Sequence, residues 1–231
     1  MIFLSCSGDN LKNDPDLLER SRAFYNDFSE IPKTVNLEGF IKSRRLMKRS
    51  GSSQSYQFEI TGNRNDLTVQ LIRGSFNDKS INKDDPKTEE LKKEIIDTIN
   101  SSESSRFLEA DKHTRDVSVK KTYSQKRINN HDCIKYKFTC MKNLNPEGNY
   151  NWLKTKGYYW LEKNTGLIIK GKYNMKDASF FLSYFPVENS ITETYEYDDN
   201  NNLKKTVFLK VFKLNAFIYS VFFTNKLEIY Y

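Results

Sequence analysis

From residue 117 onward the chain keeps returning to one pattern, in which polar or lysine residues alternate with aromatic or branched apolar ones. In "CIKYKFTC" the residues Ile134, Tyr136, Phe138 and Cys140 fall on one side, and Lys135, Lys137 and Thr139 on the other. Successive side chains of a strand point to opposite faces, so this pattern calls for a sheet with one face on a core and one in water. The same period runs through "VSVKKTYSQKRI", "GYYWLEK", "GLIIKGKYNM", "ITETYEYDD" and "LKKTVFLKVF". Polar turns, "NNHD", "KNTG" and "DDNNN", separate most of these segments. Asn164-Thr165-Gly166 is a tight link of the kind that accepts positive φ. Consecutive strands with short turns form an antiparallel meander that curls.

Two segments break the period. "NDPDLLERSRAFYNDF" carries a helix start, with Asn13 or Asp14 as cap and Pro15 at the first helical position. Leu17, Phe24 and Phe28, with Leu18 and Tyr25 beside them, make its apolar stripe, and Pro32 ends it. "DDPKTEELKKEIIDTIN" repeats the signal with Asp85-Pro86, and Leu91, Ile95, Ile96 and Ile99 form its apolar face. Between the helices, "SYQFEI" and "DLTVQL" read as a hairpin across "TGNRN", preceded by a first strand in "NLEGFIKSRRLMKRSG". "LNPEGN" and the aromatic "ASFFLSYFPVENS" read as loops. The final "LNAFIYSVFFTNKLEIYY" loses the lysine alternation and reads as a last strand, with a poorly integrated tail as the alternative. The expected fold class is α+β: a large curled antiparallel sheet, a half-barrel, with two helices packed on or capping its concave face.

Composition supports one packed domain. Of 231 residues 14% are aromatic, while Gly (9) and Pro (5) are scarce, which suits strands and not a disordered chain. The net charge of +7 favours anionic partners. Cys133 and Cys140 sit seven residues apart in one extended segment, about 23 Å, whereas a disulfide needs Cα atoms about 5.5 Å apart. They cannot pair with each other in that conformation.

Two readings of Cys6 stand. Phe3-Leu4-Ser5-Cys6 resembles a lipobox, in which apolar and small residues precede the cysteine that takes the lipid, with Phe looser than the usual Leu at the first position, and "SGDNLKNDPD" reads as a polar tether. The basic start and most of the apolar stretch of a signal peptide do not precede it, so a lipoprotein would have its true start upstream of Met1. The other reading is a fraying terminus with an incidental cysteine. On the first reading residues 1–13 are a truncated signal, lipobox and tether, and residues 14–231 the single domain.

Catalytic chemistry is thin. His113 and His131 both fall in expected loops, and no spacing brings a nucleophile, base and orienter together. No metal-ligand, P-loop or dinucleotide pattern occurs. A non-enzyme without cofactor or metal is expected. Lysines and aromatics interleave in "KKTYSQKR", "KYKF" and "KGKY", and "KSRRLMKR" adds a basic cluster. A sheet with one wet face demands such alternation anyway, so nucleic acid is not the expected partner. What remains is an aromatic inner face. Tyr136, Phe138, Tyr158 and Trp160, with Leu167 and Ile169, offer a hydrophobic lining that is either a lipid or acyl pocket or a filled core.

"INNHDCIKYKFTC", "GYYWLEKNTGLIIKGKY" and "ITETYEYDD" together resemble the periplasmic lipoprotein-carrier superfamily, the LolA/LolB-like proteins. Trp160, Glu162, Lys163, Thr165, Gly166 and Leu167 match that family's hairpin, and the resemblance covers about residues 15 to 213. It implies a half-barrel that binds acyl chains of lipoproteins or other lipids in the cell envelope. The leading expectation is therefore a lipid-anchored, periplasm-facing lipoprotein of the bacterial envelope, anchored at Cys6. It would bind a lipid or acylated ligand in the half-barrel and serve in lipoprotein or lipid transport. Its partners would be that ligand, the membrane and other envelope lipoproteins. The alternative is a structural or interaction lipoprotein with a filled core and a basic surface.

Overall fold

The computed structural model describes residues 15–26, 30–45, 48–63, 66–82, 85–101, 114–143, 152–176, 187–216 and 219–231. The lipobox with Cys6, the caps Asn13 and Asp14, Phe28 and His113 lie outside the described residues, as do "LNPEGN" and most of "ASFFLSYFPVENS".

Helix α1 (Pro15–Asn26) comes first, followed by β1 (Thr34–Arg45), β2 (Lys48–Asn63), β3 (Asp66–Phe76) and the short β4 (Lys79–Ser80). Helix α2 (Pro86–Ser101) leads to β5 (Thr114–Ile128), β6 (His131–Asn143), β7 (Trp152–Glu162), β8 (Ile168–Lys176), β9 (Val187–Tyr197), β10 (Leu203–Ala216) and β11 (Tyr219–Tyr230). All eleven strands join one open antiparallel sheet, ordered β4-β3-β2-β1-β11-β10-β9-β8-β7-β6-β5. The expected α+β half-barrel is what forms. Two meanders are sewn together by β1 and β11, which pair from Thr34↔Tyr230 to Arg45↔Tyr219. The C-terminal run is thus an integrated, central strand.

"NLEGFIKSRRLMKRSG" differs from its reading as one strand. It is the two arms of a hairpin, β1 and the start of β2, with Arg44 opposite Arg49 and Arg45 opposite Lys48. Its weak alternation has a simple cause: near the tip the side chains of neither face are deeply buried, so no core selects for period two.

Each helix covers one half of the concave face. Leu17 of α1 is fully buried with Ile134, Tyr136, Phe138, Tyr159 and Leu161. Leu91 and Ile95 of α2 are buried with Val35, Leu37, Tyr56, Phe58 and Leu71. The cysteines behave as the strand period requires, both buried, Cys140 in the α1 cluster and Cys133 in a separate one with Leu167 and Ile169. The outer edge strand β5 is interrupted by two register shifts in its pairing with β6, a device that discourages further strand addition.

The β7–β8 turn shows why its sequence is so specific. The Glu162 carboxylate accepts from the Asn164 and Thr165 backbone N–H groups at 2.9 and 2.6 Å and from the Thr165 hydroxyl at 2.7 Å. Gly166 has φ +81°, and a Cβ there would sit 2.9 Å from the Leu17 carbonyl oxygen and 3.1 Å from the Ser21 nitrogen. Arg20 of α1 donates to the Asn164 carbonyl. The turn is thus a seat for α1, and glycine is needed both for its conformation and for the helix approach.

Two stability measurements by chemical denaturation test this arrangement. Phe138 is buried and stacked on Tyr159 at 5.2 Å, so Phe138→Ala should cost about 3–5 kcal/mol, while Lys137→Ala on the exposed face should leave stability essentially unchanged. Gly166→Ala should cost more than about 1 kcal/mol, because it combines an unfavourable φ with a clash. Equal effects at Phe138 and Lys137 would mean that the register of this strand is misread.

Candidate functional site

The concave face can be followed residue by residue across nine strands. One row of register partners runs Gly74, Tyr56, Leu37, Leu227, Phe208, Glu193, Gly171, Tyr159, Tyr136. Tyr136 and Phe138 belong to this face, as the strand period requires. Tyr158 and Trp160 do not. Register places them opposite Lys137 and Lys135, and the Lys135 ammonium lies 4.0 Å from the Tyr158 ring centre and 5.5 Å from that of Trp160. These are cation–π contacts on the outer face. The expected lining is corrected accordingly: its six residues do not share one surface.

In "GYYWL" the period alone allows two phases, and three consecutive aromatics conceal which is right. The deciding residues are glycines. Tyr159 stands opposite Gly171 and Tyr173 opposite Gly157, so two Gly-x-Tyr segments interlock head to tail. A Cβ on Gly171 would lie 2.4 Å from Tyr159 Cε1, and one on Gly157 would lie 2.4 Å from Tyr173 Cβ. The repeated Gly-x-Tyr spacing was the signal for Tyr159. Leu167 and Ile169 are displaced for another reason. A register shift between Trp160 and Leu161 brings Ile168 to the α1 cluster, and its neighbours Leu167 and Ile169 pack with Cys133 and Trp160 instead.

At the centre of the face, Glu193 is buried at 2% exposure. Tyr173 and Tyr195 donate to its two oxygens at 2.8 Å each, and Tyr159 donates at 3.4 Å. Hydroxyls from β7, β8 and β9 thus converge on one carboxylate. Burial first, and then the Glu193 carboxylate, raises the Tyr159 and Tyr173 hydroxyls well above the ordinary value of 10.0. Not every polar atom of the concave face is satisfied in this way. The Tyr56 hydroxyl, Thr206 Oγ1 and Asn225 Oδ1 are buried without a hydrogen-bond partner among the described residues.

Beyond Asn225 lies a further apolar strip: Ile41 opposite Phe223, Phe223 opposite Phe212, and Val221 opposite Leu214. These residues belong to neither helix-covered cluster. Ile41 is 41% exposed and the others are half-buried. The concave face therefore has two filled regions under the helices and an open apolar end.

Neither a protein-family model nor a curated protein matches this sequence. Among solved structures, the chain is similar to a DUF1329 family protein from Desulfovibrio piger, with 11% identity over 93% of this chain and 90% of the other, at a TM-score of 0.29. It is also similar to a domain from Vibrio parahaemolyticus described as an outer membrane lipoprotein-sorting protein, with 8% identity over 92% and 88% of the two chains and a TM-score of 0.29. At that level the superposition is loose, and the function has to be read from this chain's own residues.

The tyrosine cage makes a pH prediction. Unfolded, Tyr159 and Tyr173 would titrate near 10.0, while the folded state keeps them protonated to higher pH. Above that value the native state binds more protons than the unfolded one, so stability falls as pH rises. The unfolding free energy should lose its tyrosine contribution from about pH 10 upward. The double variant Tyr159→Phe/Tyr173→Phe should show a shallower alkaline slope, measured by denaturant titration across pH. An unchanged slope would remove these hydroxyls as its source.

Proposed function

We propose that the half-barrel binds an amphiphile, a lipid or the acylated part of a ligand, at the open end of its concave face. The observation that carries this reading is the strip Ile41, Phe212, Leu214, Val221 and Phe223, apolar and only partly covered. An acyl chain laid along it gains about 0.8 kcal/mol per buried methylene. The neighbouring Asn225 Oδ1, buried without a partner among the described residues, offers an acceptor to a donor on the ligand's polar end. The filled regions under α1 and α2 restrict the site to this end of the sheet.

On the same reading the protein is a lipoprotein of the bacterial envelope, facing the periplasm and held to the membrane through acylated Cys6, without enzymatic activity, cofactor or metal. The sequence Phe3-Leu4-Ser5-Cys6 supports the anchor, and the resemblance of the β7–β8 hairpin to the lipoprotein carriers supports a part in lipoprotein or lipid transport. Other envelope lipoproteins are then its natural partners. No described helix is long and apolar enough to cross a membrane.

Fatty acids of increasing length, titrated by calorimetry, test the site. Affinity should strengthen with length until the strip is covered, should resist salt, and should fall at least tenfold in Phe212→Asp or Phe223→Asp. Native mass spectrometry of protein gently extracted from its own envelope should show a bound lipid and an acylated Cys6 together. Affinity independent of chain length would overturn the acyl site and leave the interaction lipoprotein with a filled core in its place.

A further inference from the structure

The opposite, convex face of the same strand ends carries a groove of about 600 Å³, whose lining includes Phe40, Lys42, Arg44, Arg49, Lys213 and Phe222 and no acidic residue. Phe40 and Phe222 meet edge to face, with ring centres 6.4 Å apart. Lys42 sits over Phe40 at 5.3 Å and Lys213 over Phe222 at 5.8 Å. Gly51, opposite Lys42, adds no side chain and leaves room beside it.

The charge pattern changes abruptly along this face. Nearer the middle of the sheet, opposite charges pair: Lys205 with Glu228 at 2.8 Å, and Lys226 with Glu228 at 3.2 Å and with Glu38 at 3.8 Å. Past Phe40 the pattern is cationic. Arg44 faces Arg49 directly across the hairpin, a like-charge pair that is unfavourable in itself. At the groove, Lys213 is held by Glu188 at 2.9 Å.

We propose that this groove docks the anionic headgroups of a lipid bilayer. Its cations meet the headgroup phosphates, and the two rings, half-buried at the floor, contact the glycerol and first methylenes. Charge complementarity selects the partner, because each Lys or Arg near an anionic membrane surface is worth about a fivefold gain in partition. A purely electrostatic surface would not need the aromatic floor. The inference stands on the groove alone and does not require acyl binding on the other face.

The unacylated 231-residue chain should co-sediment with phosphatidylcholine vesicles containing phosphatidylglycerol and not with pure phosphatidylcholine vesicles, and high salt should weaken the binding. Arg44→Glu/Arg49→Glu should reduce partition about tenfold or more, while keeping the wild-type fatty-acid titration. Phe40→Ala should weaken binding without changing the charge. The matched control is Lys120→Glu/Lys137→Glu, an opposed lysine pair on β5 and β6, which should leave partition near wild type. Equal losses in both double variants would overturn the site in favour of diffuse surface charge. Equal binding to neutral vesicles would also overturn it, as would displacement by millimolar glycerophosphate, which would assign the groove to a free phosphate. Tight binding of a single-stranded oligonucleotide without vesicle binding would assign it to nucleic acid.

Discussion

The ladder between β1 and β11 is the interaction on which the rest of the structure depends. It joins the second element of the chain to its last, and Lys33 N–H donating to the Tyr230 carbonyl at 2.7 Å extends it past β1. Without it there would be two separate meanders, β1–β4 and β5–β11, each with an apolar face half covered. With it, Leu37 stands beside Leu227 and Phe40 beside Thr224 and near Phe222. Closing so long a loop costs entropy before the contacts repay it, and sheets rich in distant pairings fold slowly. The connection through α2 adds a second constraint. It leaves β4 at one edge and must arrive at β5 on the other, and α2 meets that path while burying Leu91 and Ile95 on the concave side.

Within the α1 half, polar groups and glycines set the alignment that apolar packing alone would leave loose. Burying a carboxylate is costly unless its lone pairs are satisfied, and Glu193 meets that requirement only where hydroxyls from β7, β8 and β9 reach it together. A one-residue slip of any of the three would turn its side chains to the other face and leave a buried carboxylate short of donors. The interlocked Gly157–Tyr173 and Tyr159–Gly171 pairs act in the same direction, since a slip would drive a tyrosine ring into a neighbouring side chain. The cage therefore specifies register more than it adds net stability.

How far the sequence discloses this depends on whether a feature is local. Most of the strands, the helix starts at Pro15 and Pro86 and the Gly166 turn rest on residues within one or two turns of each other, and these were legible; the β1–β2 hairpin, with no buried face near its tip, was read as one strand. The face of Tyr136 and Phe138 was legible because lysines alternate with them. Tyr158 and Trp160 were placed on the wrong face because "GYYW" satisfies both phases, and only the glycines of a partner strand break the tie. Leu167 and Ile169 were misplaced by a register shift that leaves no mark on composition. The basic cluster in "KSRRLMKR" was visible, but its meeting with Lys213 and Phe222 needs the β1–β11 pairing, which no local pattern announces.

The loss of lysine alternation in β11 now has a physical explanation. Along "YSVFFTNK" both faces of the sheet ask for apolar side chains: Val221 and Phe223 complete the open strip on the concave side, while Phe222 floors the groove on the convex side. Neither arrangement serves the stability of the isolated chain. Half-covered apolar residues forgo part of the free energy of burial, and a like-charge pair, Arg44 and Arg49, is set face to face across the hairpin. Such costs also occur singly elsewhere, at Tyr123, 84% exposed, and at the opposed Lys120 and Lys137, but here a half-covered apolar strip and an opposed arginine pair occur together. Departures from local stability that concentrate at one place are where a binding role is to be sought. Here both fall at the same ends of β1, β10 and β11, one on each face, so the surface that would meet a ligand and the surface that would meet a membrane are two sides of one piece of sheet.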